Sequence, residues 1–335
     1  MISLAGRFKR ALVTGGAGFI GSHLVEGLLQ DGLEVVSVDD YSGGKRENLD
    51  ELRNYRGLTE AECDITDVEK LRPLFEGVDI VFHQAASKMT VCLRDPRRDL
   101  EVNAKGAFNL LELARDHGVR KFVHASTGSV YGEAQYYPTD EQHPLNPTSY
   151  YGVSKLAGEK YARAFAHLYG IDATILRYYH VYGPRQENSD VGGVVSIFAR
   201  RAMEGKPLVI FGDGTQMRSF TYVKDVVNIN KLVALKPETK GQAYNCASGI
   251  KVTIQELAEK ILDILDKSEV GIEYRDWKLG DIKKFDVSNE KLRKLGMDWK
   301  TPFDAGLKET LDWTKRWLQK RGVGVAAPSA TASQS

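Results

Sequence analysis

The chain has 335 residues, 46 basic against 45 acidic, for a formal net charge of +1; so even a balance supplies no field to gather nucleic acid or an acidic membrane. No apolar run approaches the roughly 20 residues of a bilayer span, and Cys63, Cys92 and Cys246 lie far apart, which argues against a disulfide framework or a thiolate zinc site and fits a reducing, cytoplasmic setting. Seven histidines without an i, i+4 pair give no reason to expect a metal.

In chain order, MISLAGRFKR turns polar too soon for a secretion signal. RALVTGG reads as a short buried strand running into glycines, and HLVEGLLQDG as a helix stopped by Gly32. The junction VTGGAGFIGSH places Gly15, Gly18 and Gly21 three apart, and Gly16, Gly18 and Gly21 complete G-x-G-x-x-G. Glycines there permit a tight turn and close approach of backbone to a pyrophosphate, and the following helix start offers N–H groups to the anion. EVVSVDD is a second strand, ending in Asp39, 18 residues after Gly21. A carboxylate at that place accepts from ribose hydroxyls and repels a 2′-phosphate, so NAD is favoured over NADP. Lys45 and Arg46 follow closely enough to meet a phosphate.

ECDIT brings Asp64 to the close of a third strand, where an acid can meet an adenine amino group or serve as an ordinary turn residue. VDIVFHQAA and RKFVHAST are two further buried-type strands, with NAKGAFNLLELARDHG between them as a helix closed by His117 and Gly118. HASTGSVYG leaves Ser126, Thr127 and Ser129 at a strand's carboxyl end, where side chains face the crevice of an open α/β sheet. Spacing does not choose among these three hydroxyls.

SYYGVSK opens the next helix, with Pro144 and Pro147 upstream and Ser149 as N-cap. Tyr151 and Lys155 stand at i, i+4 on one helix face, whereas Tyr150 and Lys155 are about 140° apart around the axis. A free phenol titrates near 10, so a tyrosine acting as base near neutrality needs about 4 kcal/mol of differential stabilisation. A nearby cation and a nicotinamide charge can supply it. Tyr150 is expected to pack against substrate or core. ATILRYYHVYG is one more strand, after which GPRQENSDVGG is a polar loop, VVSIFARRAMEG a helix, PLVIFGDG a strand with a turn, and TIQELAEKILDIL a helix capped by Thr253.

Strands alternating with helices imply right-handed crossovers. The expected fold class is α/β: a Rossmann-type doubly wound parallel sheet over residues 8–180, then a smaller mixed α/β substrate domain over 181–320, with interleaving of elements between the two allowed for. Two lobes with a cleft follow from that expectation. Residues 321–335, small and uncharged after Arg321, read as a disordered tail.

Taken together, TGGAGFIGSHL, STGSVYG, YYGVSK, YGPRQ, IFGDGTQMRSFTYVKD and LGMDWKTPFDAGLKETLDW, over about residues 10–318, resemble the extended short-chain dehydrogenase/reductase family. Within it the chain is most similar to NAD-dependent nucleotide-sugar epimerases and dehydratases of the UDP-glucose 4-epimerase type. The resemblance implies Tyr151 as base, Lys155 as its partner and a holder of the nicotinamide ribose, and Thr127 as the hydroxyl on the sugar's 4-oxygen. It implies cofactor contacts from Gly15, Gly18, Phe19, Ile20 and Gly21 in the glycine loop, and from Asp39, Asp40, Asp64 and Ile65 at the next two strand ends. Further along, Gln84, Ala85, Ala86, Lys88, Asn103, Ala125 and Ser126 belong to the same set, with Tyr151 and Lys155, as do Tyr178, packed near the nicotinamide, His180 and Val181. Substrate contacts are implied for Lys88, Thr90, Thr127, Gly128, Ser129, Tyr151, His180, Val195, Lys278, Asp281 and Phe285. Arg218 is the implied clamp on the diphosphate, a bidentate task suited to guanidinium.

Several positions depart from the family pattern. Gly128 and Ser129 stand where the dehydratases carry an Asp–Glu pair and where decarboxylases keep a Glu, so both activities are disfavoured. His180 replaces a usual Asn or Thr, Lys278 a usual phosphate-binding Arg, and Phe285 matches a gate that restricts N-acetylated sugars. The implied reaction is 4-epimerisation of UDP-glucose and UDP-galactose with retained NAD. Alternatives keep the fold and change the sugar to UDP-glucuronate, a UDP-N-acetylhexosamine, or a dTDP- or GDP-hexose, or make the enzyme a 4-dehydrogenase. A catalytically silent nucleotide-sugar sensor is the reading from another class, and such proteins usually lose the Tyr/Lys pair. A homodimer through NAKGAFNLLELARDHG and the helix beginning near Tyr150 is implied as well.

Overall fold

The computed structural model describes residues 2–189, 192–277 and 286–322. Six short runs form β1 (Arg10–Thr14), β2 (Glu34–Asp39), β3 (Leu58–Glu62), β4 (Ile80–His83), β5 (Lys121–Thr127) and β6 (Ala173–Tyr178), each paired in parallel with its neighbours. The intervening helices are α1 (Phe19–Gln30), α2 (Val68–Leu71), α3 (Met89–Cys92), α4 (Pro96–Asp99), α5 (Ala107–Asp116) and α6 (Tyr150–Leu168). Alternate strand residues feed opposite faces. Val13, Val35 and Phe82 pack with Leu24, Val25 and Leu28 of α1, while Leu12, Val36 and Val81 pack with Leu110 and Leu111 of α5 and Ala162 and Phe165 of α6. Burial on both faces is why β1, β2 and β4 are nearly continuous apolar runs, whereas β3, at the edge of the sheet, reads LTEAE and stays partly exposed. The residues before α5 are not regular α-helix: Leu100–Gly106 is π-helical.

The stretch ATILRYYHVYG, expected as one strand, is two. β6 ends at Tyr178, and β7 (Val181–Tyr182) joins another sheet. Between them His180 takes a φ of +33°, a value non-glycine residues seldom adopt. The chain continues through α7 (Val194–Met203), β8 (Leu208–Phe211) and β9 (Met217–Tyr222), then α8 (Val223–Leu235) and β10 (Ala243–Cys246). β11 (Ile250–Thr253), α9 (Ile254–Ile264), β12 (Ile272–Arg275), α10 (Glu290–Lys294) and α11 (Phe303–Lys320) complete it. Two units result. The first comprises the residues up to Tyr179 with Val223–Ala247 and Ser288–Trp299, and the second His180–Tyr222, Ser248–Val287 and the residues from Lys300. The first unit therefore takes back two segments from beyond residue 180.

Its sheet has the order β10-β6-β5-β4-β1-β2-β3, which reverses direction between β1 and β4; that switch point is where open α/β sheets bind ligands. In the second unit β9 pairs with β11 antiparallel and β7 parallel, and β12 pairs with β8. Thr253 caps α9 in a capping box, accepting from Glu256 N at 3.1 Å while Glu256 Oε2 accepts from Thr253 N at 2.8 Å. No described helix is long and apolar enough to cross a membrane. The tail residues 323–335 lie outside the described residues.

Candidate active site

Close packing at the switch point explains the glycines. Gly15 turns with φ +66°, and a Cβ there would stand 2.7 Å from Ala85 N; on Gly21 it would stand 1.9 Å from Gly15 O. Gly18 begins α1 with no side-chain cap, and the first turn, from Phe19 and Ile20, carries no acid. Its N–H groups and positive dipole end are thus open to an anion. Asp39 is turned toward this loop, its two oxygens accepting from Ala17 N at 2.9 Å and Tyr41 N at 2.8 Å. Burial outweighs these bonds and holds its carboxyl above the usual range. An uncapped helix start beside an oriented acid matches the two demands of a dinucleotide, pyrophosphate and ribose diol, so the residues present fit NAD. Arg46, one of the two cations that follow Asp39 in sequence, lies 3.8 Å over the Tyr41 ring and pairs with Glu62.

Asp64 lies two residues beyond the end of β3 rather than at its close. Its Oδ1 accepts from Thr66 N at 2.8 Å and Oγ1 at 2.9 Å, the turn role weighed from sequence. Arg98, in α4, adds a charge: its Nη2 is 2.7 Å from Asp64 Oδ2 and 3.2 Å from Asp40 Oδ2. Burial alone would raise the Asp64 carboxyl, but the bonds from Thr66 and Arg98 prevail and hold it low. The neighbouring Ile65 is buried, and its carbonyl accepts from Asn109 Nδ2 at 3.2 Å.

Ser149 caps α6, accepting from Gly152 N at 3.1 Å. Lys155 is 2 % exposed, whereas Tyr150 is 62 % exposed; Tyr150 joins no core, one of the two placements expected for it. Burial pushes the Tyr151 phenol up to about 12, against a hydrogen bond from Thr127 that lowers it, with Asp99 and Cys92 raising it further. Burial likewise brings Lys155 down to about 8, although Glu159 and Asp99 favour its charge. In the chain alone, then, desolvation outweighs the stabilisation expected for a phenolate.

Among the three hydroxyls left open by spacing, Thr127 is the one that lowers the Tyr151 phenol, and its Oγ1 donates to Ser129 Oγ at 3.2 Å. Thr127 also accepts from Ser129 N at 3.2 Å, closing the 3₁₀ turn Gly128–Tyr131. Ser126 points elsewhere, its Oγ donating to Glu159 Oε1 at 2.5 Å, and Ala125 before it is buried. A Cβ on Gly128 would stand 2.3 Å from Tyr179 Cε1, so a side chain at that position and the Tyr179 ring exclude each other.

Asn103, implied as a lining residue, is fully buried as a brace in the π-helical stretch. Its Oδ1 accepts from Ser87 N at 2.9 Å, and its Nδ2 donates to Asp99 Oδ1 at 2.8 Å and Ser154 Oγ at 3.2 Å. Lys88 and Ala86, beside Ser87, are exposed. Tyr178 Oη donates to Gln84 Oε1 at 3.1 Å and accepts from Asn230 Nδ2 at 2.9 Å; burial raises this phenol far above its ordinary value, which suits a fixed wall and not an acid. Asp99, Tyr179 and Asn230 were missed by sequence reasoning. Asp99 had a signal, four residues before Asn103, while Asn230 is 52 residues from Tyr178 and had none.

In the second unit His180 is pushed down to about 3, by burial first and then by the charge of Arg218. Arg218, on β9, is buried and donates from Nη1 to Met217 O at 3.0 Å. Val181 lies in β7, and Val195 is buried at the start of α7. Thr90 lies in α3; Lys278, Asp281 and Phe285 lie outside the described residues.

The model of the NAD dependent epimerase/dehydratase family matches residues 11–247. A putative UDP-glucose 4-epimerase of Methanocaldococcus jannaschii is 38% identical over 312 residues, 91% of this chain and 98% of that one. The UDP-glucose 4-epimerase of Thermotoga maritima, solved with UDP-glucose, has a TM-score of 0.87 at 37% identity over 92% of this chain and 99% of its own. The UDP-N-acetylglucosamine 4-epimerase of Methanobrevibacter ruminantium, in complex with UDP-N-acetylmuramic acid, has a TM-score of 0.88 at 34% identity over 92% and 99%. With the glycine turn, the acid of β2 and the Tyr/Lys helix already in place, these likenesses lead to one conclusion: the chain belongs to the NAD dependent epimerase/dehydratase family of extended short-chain dehydrogenases/reductases, and NAD is its cofactor.

Proposed function

We propose that the protein is a UDP-hexose 4-epimerase, with UDP-glucose and UDP-galactose as its substrate pair. The observation that carries this reading is the position after Thr127. It has no side chain, and the Tyr179 ring fills the space where one would begin. Eliminating water needs a second acid and base beside the hydroxyl-bearing residue, whereas inverting one carbon needs a single proton acceptor that later returns the proton. Tyr151 takes the 4-hydroxyl proton and gives it back, and Thr127 holds the oxygen and the phenol together. Lys155, charged below about pH 8, offsets the phenolate. NAD supplies the hydride acceptor and donor at C4. His180, neutral at physiological pH because burial and Arg218 disfavour its charge, takes no part as a general acid. Arg218 is assigned the diphosphate, and binding energy there holds the nucleotide while the sugar turns.

A homodimer is part of the same proposal. Val153, Tyr161 and Leu168 of α6 keep 54 %, 41 % and 68 % of their surface exposed, an apolar face suited to a second copy. The sugar test is direct: the NAD-loaded protein is incubated with a panel of nucleotide sugars and the products are separated. Conversion of UDP-glucose to UDP-galactose at the highest kcat/KM is expected. Faster turnover of UDP-N-acetylglucosamine, UDP-glucuronate, or a dTDP- or GDP-hexose would transfer the activity to that sugar.

A further inference from the structure

One buried ion pair lies outside the reacting trio yet is built into the same elements. Glu159 follows Lys155 by four residues on α6, and Arg177 lies on β6; both side chains are 1 % exposed. Arg177 Nε donates to Glu159 Oε1 at 2.9 Å and Nη2 to Oε2 at 2.7 Å. Its Nη1 donates to Tyr131 Oη at 2.6 Å, and that hydroxyl donates to Asn245 Oδ1 on β10 at 2.8 Å. A further bond to the carboxylate comes from Ser126 Oγ, at 2.5 Å, and Ser126 directly precedes Thr127. A buried pair returns little net stability over an apolar pair of the same size. What a two-pronged fork adds is a fixed angle between the elements that carry it.

We propose that Glu159 is a positioning residue: held by the Arg177 fork and bonded by Ser126, it ties the end of β5 to α6 and so registers Thr127 against Tyr151 and Lys155. The proposal rests on the reading of Tyr151 as the base. The titratable groups around Lys155 are Glu159 on its own helix, Asp99 of α4, His83 of β4 and His124 of β5. Those around Tyr151 are Asp99 and Cys92, with Thr127 as the bonding hydroxyl.

The test uses the NAD-loaded full chain. Ser126→Ala leaves the ion pair whole and is expected to lower kcat about tenfold with KM unchanged, the size of one hydrogen bond, and Ser126→Thr restores most of the loss. Glu159→Gln moves the basic limb of the kcat–pH profile to lower pH, since Lys155 loses a carboxylate that favours its charge. The tyrosinate absorbance, taken as parent minus Tyr151→Phe, moves to higher pH in Ser126→Ala because the Thr127 bond loosens. Ser126→Ala with unchanged kcat and unchanged tyrosinate titration overturns the proposal, and so does a folded Glu159→Gln with an unmoved pH profile. Loss of bound NAD together with a lowered Tm in Ser126→Ala overturns it too, because the tie would then be one of general stability. Should Glu159→Gln not fold, the two Ser126 variants decide. If the parent interconverts no nucleotide hexose, the epimerase reading fails and the tyrosinate titration decides the tie by itself: an upward shift supports it and no shift overturns it.

Discussion

At the ends of β2 and β3, Asp40, Asp64 and Arg98 keep 28 %, 32 % and 33 % of their side-chain surface. At the end of β5 and along α6 and β6, Lys155, Glu159 and Arg177 keep 2 % or less. Both regions belong to one sheet, on opposite sides of its switch point, and both hold acids beside cations. In the first, water screens the charges, and each pair is worth about 0–1 kcal/mol. In the second, removing one partner strands a buried charge at about 3–5 kcal/mol. On the proposed reading, the adenosine half therefore tolerates change at these screened pairs. The chemistry depends on desolvated groups whose protonation is set by one another.

The strongest break in that contrast is Tyr151→Phe. It is expected to lower turnover about 10²–10⁴-fold, the usual worth of a positioned general base, while bound NAD, measured after denaturing release, stays at the parent level. Near-parent turnover would remove Tyr151 from the mechanism. Thr127→Ala deletes a hydrogen bond to a group that becomes charged, worth about 1.5–3 kcal/mol, so kcat is expected to fall by about ten- to a hundredfold with little change in KM.

The buried end also predicts an acid limit to stability. His83 and His124 are fully buried and held neutral, their affinity for protons lowered well below the ordinary 6.5 by burial and then by Lys155. The unfolded chain takes up these protons below about pH 6.5 and the folded chain does not. Stability is thus full above that pH and declines below it by about 1.4 kcal/mol per pH unit for each histidine. Denaturant midpoints at stepped pH measure this, and His124→Gln should flatten the slope by about a third, since His180 is a third buried histidine held neutral in the fold. The smallest effect is expected at the exposed end. Arg98→Ala should weaken NAD binding by less than about fivefold, read by titrating cofactor-free protein. A loss of a hundredfold would place that end among the buried networks and erase the distinction.

Much of this was legible beforehand, for identifiable reasons. The sheet was readable because strands buried on both faces must be apolar throughout, and the Tyr151/Lys155 pairing because helical phase is fixed by 3.6 residues per turn. The break at His180 was not, since ATILRYYHVYG is apolar and aromatic on both sides of it and the left-handed backbone there is imposed by tertiary structure. The π-helical stretch was invisible because only its backbone bonds differ. Spacing left Thr127 and Ser126 equal and the resemblance alone pointed to Thr127; what spacing lacked is that Glu159, 33 residues on, holds Ser126. The rise of the Tyr151 phenol was missed because spacing reports neighbours and says nothing of solvent.

The way the first unit takes back two later segments bears on how the protein is made. β6 has β5 on one side and β10 on the other, and β10 is Ala243–Cys246. A nascent chain emerging from the ribosome presents β6 as an unpaired edge until those residues arrive, and edges of that kind invite pairing with other chains. Leu292, Leu295 and Met297 enter the same core later still. A fragment cut after Tyr179 would hold the glycine loop, Asp39 and the Tyr/Lys helix, and would still lack one strand of its sheet, the helix α8 packed on α1, and part of its core. Expression of that fragment should give aggregates and no NAD-binding domain.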